Sequence, residues 1–110
     1  MPLTEYNRYK VCINSLYNCA SACNNIVGYF IKQEKLKSPK TMKLLLECSI
    51  MCRFVAELLS LGSSKAKKVS KICAKVCDDC ATELMNFTED QFKEAAGLCS
   101  ECADHCAIIE

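Results

Sequence analysis

At 110 residues the chain has room for one domain, and its 51% hydrophobic share is ordinary for a chain that buries a core. A net charge of +1 gives no global pull toward nucleic acid or a membrane surface. No run of 18 apolar residues occurs, which excludes a membrane-spanning helix. The opening Met1-Pro2-Leu3-Thr4-Glu5 lacks the basic-then-apolar order of a secretory signal, so the expected location is cytoplasmic.

The first element is a helix near 5–35. It stops before Lys37-Ser38-Pro39, where a serine N-cap precedes proline at a first helical position and opens a second helix near 39–61. Leu61-Gly62-Ser63-Ser64 supplies a glycine stop and then serine caps, which start a third helix near 65–86. Thr88-Glu89-Asp90-Gln91 has the capping-box form, threonine with glutamine three residues on, and opens a fourth helix near 89–109. No segment alternates as a strand does. Short connections make sequential helices antiparallel. The expected fold is all-α: one domain over 1–110, an antiparallel up-down-up-down four-helix bundle. Lysines gather at Lys32, Lys35, Lys37, Lys40 and Lys43 and again at Lys65, Lys67, Lys68, Lys71 and Lys75. No aromatic residues interleave them for base stacking, and they read as solvated helix ends with no nucleic-acid partner.

Eleven cysteines are the anomaly. Such a fraction is usual in secreted disulfide scaffolds, but those are rich in loops, whereas this chain has three glycines, two prolines and an odd cysteine count. At 100° per residue each helix carries its cysteines on its apolar face. The stripes are Cys12, Leu16, Cys19, Cys23, Ile26 and Phe30; Leu44, Leu45, Cys48, Cys52, Val55 and Leu59; Val69, Cys73, Cys77, Cys80 and Leu84; and Phe92, Ala95, Cys99, Cys102, Ala103 and Cys106. All eleven thiols are therefore expected to line the core. Counted from the end that holds the first and third connections, Cys23, Cys48, Cys77 and Cys99 fall at roughly 14 Å and Cys19, Cys52, Cys73 and Cys102 at roughly 20 Å. Two tiers of four thiols emerge. Cys80 lies above them, and Cys106 and Cys12 lie below.

Cysteine as a mere small hydrophobe does not explain eleven on facing stripes, since leucine or alanine would pack without the risk of oxidation. Disulfides across a bundle are opposed by geometry: helix axes stand about 8–10 Å apart, while bridged Cα atoms lie within about 7 Å. Metal binding suits the pattern. Cys-x3-Cys pairs put two sulfurs on adjacent turns, and soft thiolates select Cu(I). If each thiolate bridges two ions, capacity is on the order of ten ions. The alternatives are Zn(II) in a tier of four thiolates, an iron–sulfur cluster on a subset of the cysteines, or a thiol redox sensor, which wants an accessible low-pKa cysteine. The Glu-x-x-His motif of di-iron bundles is absent, because the only histidine, His105, follows Glu101 by four. Nothing here reads as an enzyme.

Taken together, Cys12-x6-Cys19-x3-Cys23, Cys48-x3-Cys52, Cys73-x3-Cys77-x2-Cys80-Ala81 and Cys99-x2-Cys102-Ala103-x2-Cys106 resemble the copper storage proteins, cysteine-rich four-helix bundles. The resemblance implies a homo-oligomer, a tetramer of bundles, with many Cu(I) along each core for storage, buffering or detoxification, supplied by a copper chaperone or a small thiol. The implied ligands are all eleven cysteines, with His105 and Met51 as extra donors. Relative to the richest members, Leu16, Val55 and Leu84 occupy faces where further thiols could stand. One end is expected to be an apolar plug of Phe30, Leu44, Leu45, Leu84 and Phe92. The other is expected to be a mouth with Cys12, Cys106 and His105, where copper would pass in. Met42 and Met85 are expected to face outward.

Overall fold

A computed structural model describes residues 3–33 and 38–109, with side chains from Tyr9 onward. Four helices run α1 Leu3–Lys32, α2 Pro39–Leu61, α3 Ala66–Leu84 and α4 Asp90–Ala107. The expected end of the first helix near 35 lies outside the described residues. Each helix lies beside its two neighbours in the order α1–α2–α3–α4–α1, and among the described residues the diagonal helices meet through core side chains such as Cys23 and Cys80. Cys48 and Cys52 of α2 meet Cys77 and Cys73 of α3 in reversed order, as Cys12 and Cys23 of α1 meet Cys106 and Cys99 of α4. The bundle is antiparallel. Its cross-section of 20 × 18 Å is about two helix diameters each way, so the interior is one narrow column of inward-facing side chains.

Local chemistry sets the helix ends. Ser38 is extended at φ −139° and its Oγ accepts from the Thr41 amide, while Pro39 supplies the first-turn φ. Gly62 takes the left-handed conformation at φ 68°, and the Gly62 and Ser63 amides donate to the Leu59 and Leu58 carbonyls. The capping box expected at Thr88 does not form. Helix α4 begins at Asp90 behind an extended Glu89 that makes no side-chain cap bond. Phe87 just before it is instead drawn against Phe30 and Phe92, an apolar attraction that sets the path of this turn. The third helix likewise starts behind Lys65 without a side-chain cap; Ser63 Oγ accepts from the Lys65 amide in the turn.

The expected plug exists, with one exchange of members. Phe30, Leu45, Leu84 and Phe92 are buried, and Phe30–Phe92 and Tyr29–Phe92 meet edge to face at 5.5 and 5.8 Å between centroids. Leu44 is only half-buried, because it stands 100° from Leu45 and one of the two must leave the centre; Phe87 takes its place. Thr41 fastens this end. It is fully buried and donates from Oγ1 to Glu83 Oε2, its Oγ1 lies 2.9 Å from Ser38 Oγ, and Lys40 sits 3.6 Å from the same carboxylate. Midway, Ser49 donates to Asn24 Oδ1 at 2.9 Å and ties α2 to α1. Met85 is exposed as expected, whereas Met42 is half-buried and packs against the core.

Phe92 is 0% exposed and touches three rings. Phe92→Ala is expected to lower the stability of the reduced, metal-free protein by about 3–5 kcal/mol. Met85→Ala, at an exposed position, should change it by less than about 0.5 kcal/mol. Urea denaturation followed by circular dichroism checks both.

Candidate metal centre

The three- and four-residue spacings of the cysteines return each one to the inner face of its helix, and the result is complete burial. No cysteine is more than 1% exposed, and all eleven are free thiols. Sulfur meets sulfur along the bundle axis. Cys80 lies 4.0 Å from Cys23, Cys23 lies 3.7 Å from Cys99, and Cys99 lies 3.4 Å from Cys19. Cys19 lies 3.7 Å from Cys48, which is 4.0 Å from Cys52 and 3.9 Å from Cys77. Cys52 is 3.6 Å from Cys77 and 4.0 Å from Cys73. Cys12 and Cys106 form a pair at 3.8 Å toward the far end. Cys106 also interacts electrostatically with Cys73 and Cys102, and Cys102 with Cys19, Cys52 and Cys77. These separations are nearly twice the roughly 2.05 Å of a disulfide bond. They are contacts between thiols.

The two flat tiers are not what forms. Cys99 touches both Cys19 and Cys23, so it stands between the two levels of α1. The cause is spacing: Cys99 and Cys102 are three residues apart, a rise of about 4.5 Å, against about 6 Å for the four-residue pairs on the other helices. The levels slide into a staggered column. Two groups of four sulfurs lie within 4.8 Å of one another, Cys19/Cys48/Cys52/Cys77 and Cys19/Cys23/Cys48/Cys99, and each mixes the expected tiers.

The thiols polarise one another. Cys12 is pushed well above the ordinary thiol range by its hydrogen bond with Cys106 and then by burial. Cys19 is pushed up by its contact with Cys102 and by its other thiol neighbours. Cys23 is drawn down to about 6 and Cys48 to about 7, each because Cys19 donates to it. Protons are thus shared along the column, some sulfurs holding them for others to accept.

The two extra donors stand at the margin. Met51 is half-buried against the core. His105 is half-buried and outside both four-sulfur groups, with its Nδ1 sharing a hydrogen bond with Ser15 Oγ across α1 and α4. The expected mouth is closed: Cys12 and Cys106 are buried, and Leu59, Ala66 and Ile109 at that end are at most 5% exposed. Periodicity assigned Val69 to the third stripe, but Val69 is half-buried and the inner position belongs to Ser70, which is 0% exposed. The spacing Ser70-x2-Cys73-x3-Cys77 carried that signal.

A column of buried, reduced, mutually touching thiols defines a class, the soft-metal helical bundles. The match to known proteins is specific. The copper storage protein (Csp) family describes residues 5–110, and the chain belongs to that family. It is 24% identical over 98 residues to the uncharacterized cysteine-rich protein YhjQ of Bacillus subtilis strain 168, covering 88% of this chain and 91% of that one. Among solved structures, the Cu(I)-bound copper storage protein BsCsp3 superposes with a TM-score of 0.83 at 25% identity, over 90% of this chain and 94% of that one. Apo Csp3 from Bacillus subtilis gives 0.83 at 26%, over 91% and 96%. The Nmul_A1745 protein of Nitrosospira multiformis, 24% identical, shares the fold with a TM-score of 0.86 over 94% of each chain. The family is one of metal storage.

With every sulfur at or below 1% exposure, a chromogenic aromatic disulfide should titrate fewer than about one thiol rapidly in the native, reduced, metal-free protein. In denaturant all eleven should react.

Proposed function

We propose that this protein binds many Cu(I) ions through Cys12, Cys19, Cys23, Cys48, Cys52, Cys73, Cys77, Cys80, Cys99, Cys102 and Cys106, as a cytoplasmic store or buffer of copper. The observation that carries the reading is the sulfur column, in which Cys80, Cys23, Cys99, Cys19, Cys48, Cys52, Cys77 and Cys73 are linked at 3.4–4.0 Å and Cys12 pairs with Cys106 at 3.8 Å. A structural zinc site needs one set of four thiolates and leaves the rest of such a column without a purpose. A bridging thiolate array uses all of it. The Cu(I)-bound state of BsCsp3, a relative with the same fold, supports copper as the ion. His105 and Met51 lie beside the column and serve as auxiliary donors at most; a homo-oligomeric assembly and delivery by a chaperone or small thiol complete the proposal.

Anaerobic titration of the reduced protein with Cu(I) against a competing chelator is expected to saturate at on the order of ten ions. Parallel titration with Zn(II) should saturate at about one or two, because the two four-sulfur groups share Cys19 and Cys48. Saturation with Cu(I) at one or two ions would overturn storage in favour of a structural or regulatory site.

Uptake also depends on pH with a definite sign. Each ion displaces a thiol proton, so affinity falls as pH falls. Cys12, Cys19 and Cys73 hold their protons well above the ordinary thiol range. For the average affinity, the rise with pH should therefore continue past about pH 9, where ordinary exposed thiols are already deprotonated. Chelator competition from pH 6 to 10 measures it, and a plateau by pH 8 would contradict it.

A further inference from the structure

The two ends of the sulfur column are closed in different ways. At the Cys80 end, four rings interlock and the Ser38–Thr41–Glu83 hydrogen bonds tie α2 to α3. At the Cys12/Cys106 end the closure includes Leu59, Ala66 and Ile109. Ile109 lies beyond the last residue of α4, yet is 1% exposed and part of the core. Its amide donates to the Cys106 carbonyl at 3.4 Å, a long bond. A core side chain on non-helical backbone is held chiefly by apolar contact.

A second observation falls at the same end. Ser70 is fully buried, and its Oγ is the one buried side-chain oxygen or nitrogen without a partner among the described residues. It precedes Cys73 by three residues on the inner face of α3, and Cys73 interacts with Cys106 of antiparallel α4. Antiparallel packing puts Ser70, before Cys73, and Ile109, after Cys106, at the same end of the bundle. A stranded hydroxyl is desolvated without return while the end is shut, and it regains a partner once water or a ligand is admitted. The closed end therefore carries a built-in bias toward opening.

We propose that Ile109 is a displaceable stopper over the Cys12/Cys106 end of the column, and that its release, favoured by the buried Ser70 hydroxyl at the same end, admits Cu(I) complexes to the first pair of sulfurs. The stopper rests on the reading of the column as a copper store, but it is a statement about local opening and can be tested without metal. Opening at this end need not disturb the aromatic end, since elements unfold locally where few contacts hold them.

The test compares the parent protein with Ile109→Ala, Ser70→Ala and Leu45→Ala, all reduced and metal-free. An aromatic disulfide reagent labels the thiols, and peptide mass mapping reads the rate at each cysteine. Ile109→Ala is expected to speed labelling of Cys12 and Cys106 by about tenfold while Cys80 and Cys23 stay slow. Ser70→Ala, which removes the stranded hydroxyl, should slow the same two sites. Leu45→Ala weakens the opposite end and should speed Cys80 and Cys23, leaving Cys12 and Cys106 unchanged. In the loading arm, Ile109→Ala should take Cu(I) from a chelate faster with the final number of ions unaltered. Unchanged rates at Cys12 and Cys106 in Ile109→Ala, or equal acceleration of all eleven thiols, would overturn the stopper. Failure of every variant and the parent to take up Cu(I) would instead overturn the storage reading, with the metal-free rates still deciding the stopper.

Discussion

A thiolate buried in an apolar interior needs a positive charge beside it, and this core contains none of its own. The buried polar residues, among those described, are Ser15, Thr41, Ser49 and Ser70; no lysine or arginine is buried with the sulfurs. Uncompensated buried charge is the most expensive thing a core can hold. The charge of the incoming ion therefore decides what the column can accept in quantity. Four thiolates around a divalent ion leave two negative charges in the interior, and any further thiolate left without an ion would add to them. One monovalent ion per thiolate leaves none. A long run of sulfurs without basic neighbours is electrically suited to a soft monovalent cation, and this favours Cu(I) over Zn(II) independently of any relative.

The contacts that hold the helices together use no metal ion. Protonated cysteine is a small hydrophobe that packs like alanine with a polarisable tip. The aromatic cluster around Phe92, the Thr41–Glu83 link and the Ser49–Asn24 bond hold the helices in place without using a sulfur. A zinc finger is unfolded without its ion because the ion closes the structure. Here the residues that set the packing and the residues of the sulfur column are different ones. The relative Csp3 has been solved in apo and Cu(I)-bound forms.

The parts legible in the sequence were those governed by one helix at a time. The inward stripe of cysteines follows from a period of 3.6, and the Ser38–Pro39 start and Gly62 stop follow from backbone chemistry within a few residues. What escaped depends on neighbours. Leu44 and Leu45 are equivalent in hydropathy, and only the packing of α3 selects Leu45. Thr88 has the residue type of a cap, but the pull of Phe87 into the ring cluster governs the turn. The tiers were drawn from a uniform rise, which cannot see that a three-residue spacing on α4 shifts its sulfurs between levels. Ser70 is polar and so carries no hydropathy signal, although it stands on the same buried stripe as Cys73 and Cys77.

Sulfur continuity also bears on how an ion could travel inside such a bundle. Cu(I) is content with two or three soft ligands, so an ion held by two thiolates can bind a third before releasing the first. That exchange requires the next sulfur to be already within reach. From the Cys12/Cys106 pair, Cys106 leads to Cys102 and Cys73, Cys73 to Cys52 and Cys77, and Cys48 to Cys19. Cys99 and Cys23 then lead to Cys80 beneath the aromatic plug. The stagger that spoils the flat tiers also joins them: Cys19, Cys23, Cys48 and Cys99 lie within 4.8 Å of one another across the two levels. A bare ion would not have to cross apolar space at any step. A column closed firmly at one end and lightly at the other would then fill from the light end inward, each arriving ion displacing the last one step deeper.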